Sequence, residues 1–306
     1  MYAPLCVIFA PNSVNIARYA SFIRHKSPTN CDAHLAESIF ETRPRKGKKI
    51  HMNKNNTINK NDVLTDPAQI VRLELENAGY DMDTIHIPKR VFLLADSFYD
   101  TMLSRKCGEY RYPLGGELYV FYENEEVGFI KGHMCSPAIA TQAEDLIAGG
   151  VEELIHIGFA GGLQTDLKPG DIVLTDGAYN DTAVARLYGF DEEIIDATKA
   201  LTDGLDRLLT QNAISFRRGK HWTTDAGYHE TWGQIIDYRE KGALCVEMEG
   251  VGLFTIANYR KCAASAIYVI SDVFDENRWE LGWGESNLGA SIDKITDVII
   301  SHFMEV

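Results

Sequence analysis

The sequence predicts an α/β fold: one three-layer domain with a central mixed, largely parallel sheet flanked by helices, preceded by an N-terminal extension. Three observations predict it. Six short apolar runs bounded by Gly, Pro or Asp have the length and composition of strands buried in a sheet. Stretches with apolar residues three and four apart separate several of them, and strands alternating with helices imply crossover connections. Hydrophobic residues make up 45% of the 306, ample material for a core.

In chain order, residues 43–62 (RPRKGKKIHMNKNNTINKND) are rich in Lys, Arg and Asn and nearly empty of large apolar groups. Such a segment cannot bury enough surface to order itself, so it reads as a linker within an extension of residues 1–66, with the folded domain at 67–306. Strands are then expected at VFLLA (91–95), ELYVFY (117–122), VGFIKG (127–132), ELIHIG (153–158), DIVLTDG (171–177) and SAIYVISD (265–272). Helices are expected at 137–150 and 287–303, the latter with Leu288, Ile292, Ile295, Ile299 and Phe303 on one stripe. No internal repeat is present.

A formal charge of −14 argues against a nucleic-acid backbone or an anionic membrane as partner, since both would repel it. A small molecule is the better expectation. The six cysteines are scattered without a C-x-x-C pair, which suits a reducing, cytoplasmic compartment and no structural zinc. The apolar start MYAPLCVIFAP lacks a basic flank and fits a signal peptide poorly. No apolar run approaches the ~20 residues that span a bilayer. His229, Glu230 and Arg239 form no Ser-His-Asp or metal-ligand pattern, so no metal is expected.

In open α/β sheets ligands bind beyond the carboxyl ends of strands, so the residues there are the ones to inspect. Asp96 follows the first predicted strand. The cluster Gly158-Phe159-Ala160-Gly161-Gly162 follows ELIHI and reads as a tight turn offering backbone N–H groups, although it does not fit G-x-G-x-x-G. Ser271-Asp272 ends a late strand, where Asp272 is either a helix N-cap or a half-buried general acid. In Val246-Glu247-Met248-Glu249 two carboxylates flank a methionine where a helix is expected to start near Met248. The bland reading is acidic residues at the positive helix end. Two so close repel, however, and a stability role needs only one. A bidentate acceptor suits the vicinal hydroxyls of a ribose, with Met248 as an apolar wall.

These pieces together resemble the nucleoside phosphorylase I family, which contains hexameric purine nucleoside phosphorylases, uridine phosphorylases and methylthioadenosine/S-adenosylhomocysteine nucleosidases. The resemblance is carried by residues 132–178, by HWTTDAGYHET (221–231), by GALCVEMEG (242–250) and by VISD (269–272), in the right order and over more than half of the chain. It implies a phosphorylase/hydrolase-like fold and cleavage of the N-glycosidic bond of a purine nucleoside, with the ribosyl group passed to phosphate as co-substrate and no other cofactor. The alternatives are a nucleosidase using water, or a module that binds nucleosides without turnover. By resemblance Met248 and Glu249 hold the ribose with Glu247 in support, and Asp272 protonates the departing base. Tyr228, Phe159 and Ser271 fall near the base. The resemblance also implies a homo-oligomer.

One part of the family pattern is missing. Family phosphorylases carry G-D-P-x-R after the first strand, where this chain reads Ala95-Asp96-Ser97-Phe98-Tyr99, and R-x-G-[ST] later, where it reads His156-Ile157-Gly158-Phe159. Both arginines and the hydroxyl are gone, although a dianion needs fixed positive charge and donors. Candidates for a rebuilt phosphate or water site are Gly158, Ala160, Gly161, His156 and Asp96, with Lys131 and Arg186 as further cations. Trp279 and Trp283 read either as a flap over the base or as packing for the last helix.

Overall fold

A computed structural model describes residues 63–275, 278–282, 284 and 286–304. The basic segment 43–62 and nearly all of the expected extension lie outside the described residues. The chain divides into two compact units, Met1–Leu64 and Thr65–Val306, and among the described residues every helix and strand lies in the second.

Helix α1 (Pro67–Asn77) starts on Asp66, whose carboxylate accepts from the Ala68 N–H. Strand β1 (Arg90–Leu94) leads into α2 (Asp96–Arg105), followed by the meander β2 (Gly108–Tyr112), β3 (Leu118–Phe121) and β4 (Val127–Lys131). Helix α3 (Ser136–Gly149), with Pro137 in its first turn and Gly150 in the left-handed conformation at its end, leads to β5 (Glu153–Gly162). Then come β6 (Ile172–Asp181), α4 (Val184–Leu187), β7 (Ile194–Asp196), α5 (Lys199–Gln211), β8 (Arg217–Thr224), α6 (Trp232–Glu240), β9 (Cys245–Glu247), α7 (Gly250–Arg260), β10 (Ala263–Asp275), β11 (Arg278–Leu281) and α8 (Ser286–Met304).

The described strands form one mixed sheet. Its centre, β4–β1–β5–β10, is parallel, while β2, β3, β7 and β11 join antiparallel. Along β1 the side chains alternate between two cores. Val91 and Leu93 pack with α3 and α7, and Phe92 and Leu94 pack with α2, α5 and α8. Burial on both faces explains why these strands read as continuous apolar runs. The α8 stripe is buried as expected at Leu288, Ile295, Ile299 and Phe303.

Pairings β10–β5, β10–β6, β6–β8, β8–β9 and β9–β5 close a ring at one end of the sheet. The sequence did not foretell this ring, because β8 was not expected and the run expected to end at Leu244 lies just before β9 (Cys245–Glu247). It brings together the ends of β5, β8, β9 and β10, and with them most of the candidate residues. The glycine cluster corrects one expectation: Gly158, Gly161 and Gly162 lie within β5 rather than in a turn. They are needed for space. A Cβ on Gly161 would stand 2.9 Å from Phe274, and one on Gly158 would stand 2.8 Å from the His156 ring.

Candidate active site

The two carboxylates of Glu247-Met248-Glu249 have separate tasks. Helix α7 starts at Gly250, two residues later than expected, and no side chain of its own N-cap residue Glu249 caps it. Glu247 does so instead: its Oε2 accepts the N–H groups of Glu249 and Gly250, both at 2.8 Å, and the Tyr268 hydroxyl at 2.9 Å. Its Oε1 accepts the Thr223 hydroxyl at 2.5 Å and lies 3.0 Å from His221 Nε2. Burial alone would push this carboxyl up, but His221 and the Thr223 hydroxyl overcome it and hold Glu247 at about 2. Behind it His221 Nδ1 sits 2.6 Å from the Thr175 hydroxyl. Every one of these side chains is buried, so a polar network fixes the β9–α7 junction from beneath.

Glu249 has fewer protein partners. Its Oε1 accepts the Cys135 N–H at 2.7 Å, and its Oε2 has only a 3.3 Å contact from the Met248 N–H. Burial and the fixed charge of Glu247 push it up, to about 8. Cys135 reaches it from the loop before α3 with φ 74° and ψ 148°, a conformation costly for any residue but glycine. Ser136 ties the same loop to the Met248 carbonyl at 2.9 Å. Met248 leans over the next loop, its sulfur 3.1 Å from where a Cβ on Gly227 would be.

Asp272 approaches from the other side. It is no N-cap, because it lies inside β10, where Ser271 is an extra residue in the pairing with β5. That bulge sets Asp272 opposite Gly161. Its carboxylate accepts the Ser271 hydroxyl and the Trp279 indole N–H, both at 2.6 Å. Trp279 stacks on Phe274 with an interplanar angle of 3° and is tied to this acid rather than to α8. Trp283 lies outside the described residues. Val246 of β9 and Asp272 of β10 both pair with Gly161, so the carboxyls of Glu249 and Asp272 belong to strand ends that meet on β5.

A profile of the phosphorylase superfamily matches residues 87–300. The chain belongs to that superfamily. A second profile, of a family of unknown function (DUF6783), matches residues 1–53. Among relatives, the DeoD-type purine nucleoside phosphorylase of Caldanaerobacter subterraneus subsp. tengcongensis is 34% identical over 155 residues, 50% of this chain and 66% of that protein. That of Exiguobacterium sibiricum is 29% identical, covering 60% and 78%. The guanosine phosphorylase of Halorubrum lacusprofundi is 26% identical, covering 60% and 74%. The chain thus spans about two thirds of the first of these relatives. The crystal structure of a Toxoplasma gondii purine nucleoside phosphorylase in complex with immucillin-H has the same fold, with a TM-score of 0.61, 16% identity, and coverage of 72% of this chain and 91% of that one.

For a phosphorylase-superfamily chain, the wall between β1 and β5 is unusual. Phe98 and Phe159 meet at a tilt of 34° with ring centroids 5.3 Å apart, and Phe159 packs, partly buried, against the core on the α2 side of the sheet. His156 points to the other face, edge-on to Tyr268, buried with Nδ1 lacking a partner. Burial drives it down to about 4, so it is a neutral ring and no anion ligand at neutral pH. Asp96 pairs with Lys131 at 2.8 Å, so acid and cation answer each other. Ala160 is buried behind Ser271. Tyr228 is fully exposed, on a loop whose turn is closed by the His229 N–H to Ala226 carbonyl bond. His221, Thr175, Thr223 and Tyr268 were missed: they meet Glu247 only through the ring of strands, and each is an ordinary polar residue in an apolar run.

Proposed function

We propose that the chain cleaves the N-glycosidic bond of a purine nucleoside. The carrying observation is that Glu249, whose Oε2 receives only a 3.3 Å contact from a backbone N–H, follows β9, while Asp272 sits on a bulge of β10, both strands pairing with Gly161. As the bond stretches, positive charge builds on the sugar, and the carboxyl beneath the 2′ and 3′ hydroxyls stabilises it. Asp272 passes a proton to the base, with the Ser271 hydroxyl and the Trp279 indole fixing its two oxygens. Met248 gives the furanose an apolar face. The names of the relatives support phosphate as acceptor of the ribosyl group, and purine as the base.

A second reading, hydrolysis, is favoured by one feature: Phe98, Phe159, neutral His156 and the Asp96–Lys131 pair occupy the wall where the family pattern expects arginines. The test of both is incubation with adenosine, inosine, guanosine, methylthioadenosine and uridine, with and without phosphate, following base, ribose and ribose 1-phosphate by chromatography. Phosphate-dependent release with ribose 1-phosphate supports transfer. Release indifferent to phosphate, with free ribose, supports hydrolysis. No base from any substrate overturns cleavage.

A further inference from the structure

Arg239 belongs to no motif in the sequence, and the proposed mechanism gives it no task. It stands in the last turn of α6, partly buried, and its guanidinium reaches two backbone carbonyls: Nε donates to Leu163 at 2.5 Å and Nη2 to Phe274 at 2.8 Å. The tie is reciprocal. The side-chain amide of Gln164, next to Leu163, donates to the Arg239 carbonyl at 3.2 Å and to the Ala243 carbonyl at 2.7 Å. A guanidinium is a planar fork that bridges two acceptors, and its charge strengthens each bond.

The two carbonyls lie where strand pairing stops. Asp272 pairs with Gly161 and Val273 with Gly162, and Phe274 and Leu163 are the next residues on the two strands. Arg239 therefore joins β5 to β10 one step past their last pair. On the other side of Asp272 the ladder is interrupted by the Ser271 bulge, so only two paired positions lie between the bulge and Arg239. The Phe274 ring also stacks on Trp279, whose indole N–H is bonded to Asp272 Oδ2. A shift of the backbone at Phe274 thus reaches the carboxylate by two routes, along β10 and through Trp279. We propose that Arg239 is a positioning residue for Asp272, fixing through the backbone where the acid stands. This inference rests on the cleavage reading above, in which Asp272 protonates the departing base.

The test is base release from inosine by the full chain and by Arg239→Gln, Arg239→Lys, Asp272→Asn and the double variant Arg239→Gln with Asp272→Asn. A second substrate is 7-methylinosine, whose base already carries a methyl group on N7 and leaves as a neutral molecule without a proton. On inosine, Arg239→Gln should lower kcat by roughly 10- to 100-fold, the scale of misplacing a catalytic group by about 1 Å, with KM little changed. Arg239→Lys, which keeps the charge but not the fork, should lose less. In the Asp272→Asn background the same Arg239→Gln substitution should change kcat by less than about twofold, because no acid is left to misplace. On 7-methylinosine its effect should vanish as well. A substitution that merely weakens the fold would cost both substrates and both backgrounds alike. No loss on inosine, or a loss that persists in Asp272→Asn or on 7-methylinosine, overturns the assignment and leaves the cleavage reading standing; where one of these two comparisons gives no rate, the other decides. If Arg239→Gln does not fold, Arg239→Lys is carried through the same comparisons. If neither folds, Arg239 holds the fold rather than the acid, and the assignment is overturned. No base from either substrate with the full chain overturns the cleavage reading and the positioning role together.

Discussion

The floor at the β9–α7 junction, which we propose lies under the ribose, and the wall between β1 and β5 are built on opposite plans. In the floor, Glu247 is held by Thr223, His221, Tyr268 and two backbone N–H groups, all out of water. In the wall, aromatic packing of Phe98 on Phe159 and a neutral His156 stand where the family pattern calls for cations. A polar network is retained only where each member is satisfied, since one unsatisfied member in low dielectric costs more than an apolar replacement. The difference teaches that, on the proposed reading, the sugar side of the site is kept while the acceptor side has been rebuilt.

The largest expected effect falls on the acid. Asp272→Asn keeps the shape of the side chain and both of its hydrogen-bond neighbours but has no carboxyl proton to give. Base release should fall by about 10²–10⁴-fold in kcat, the usual range for losing a positioned general acid, with KM little changed. A loss below about tenfold would place the proton donor elsewhere and remove the functional half of the comparison.

Next comes Glu249→Gln, expected above pH 8, where Glu249 is ionised, to lower kcat/KM by roughly 10- to 100-fold, the value of one or two charge-assisted hydrogen bonds. It should also change how stability depends on pH. Burial and Glu247 raise Glu249 from an ordinary 4.5 to about 8, so between those values the folded chain keeps a proton that the unfolded chain has lost. Stability therefore falls as pH rises through that window, and Glu249→Gln should reduce the slope, with Asp145 and Glu230, raised to about 6 and about 7, carrying the rest. Glu247 runs the other way: held at about 2, it contributes above its ordinary 4.5 and is lost as pH falls toward 2. Thermal melts from pH 5 to 8.5 measure the first effect, and a slope unchanged in the variant would show that Glu249 does not carry it.

Legibility in the sequence divides along the same line. The strands buried on both faces and the α8 stripe were legible because their signals are local: continuous apolar runs and a 3.6-residue period. Glu247, Met248, Glu249, Ser271 and Asp272 were legible because each sits within a few residues of a strand end. The closed ring was not, since β8 opens with Arg217, Arg218, Gly219 and Lys220 and so reads as surface. Without β8, nothing joins Thr175 to His221 or His221 to Glu247, 46 and 26 residues apart in the chain. The wall was legible only as missing arginines; the packing that replaces them depends on α2 lying over β5.

The floor should also be intolerant of added volume. A Cβ on Gly250 would stand 2.3 Å from His221 Nε2 and 3.1 Å from Glu247 Oε1, both held by the network rather than free to swing. Gly250→Ala should destabilise the fold by about 1–3 kcal/mol, the common cost of overpacking, read from denaturant midpoints at constant slope. An unchanged midpoint would mean the junction is softer than its hydrogen bonds imply.

The smallest expected effect sharpens the other side. Phe159→Ser restores the hydroxyl that the family pattern carries, at the expense of the ring that packs on Phe98. Losing one aromatic pair is worth about 0.5–1.5 kcal/mol beyond area burial, so stability should drop modestly. Phosphate dependence of base release should not change, because a single hydroxyl does not hold a dianion that also needs fixed positive charge, and neutral His156 and the Lys131 paired with Asp96 supply none. Measured as base release against phosphate concentration, parallel curves for parent and variant would fit a rebuilt acceptor side. A variant that becomes markedly more responsive to phosphate would mean that Phe159 alone plugs a cradle still intact behind it, and that the wall and the floor differ by one side chain rather than by plan.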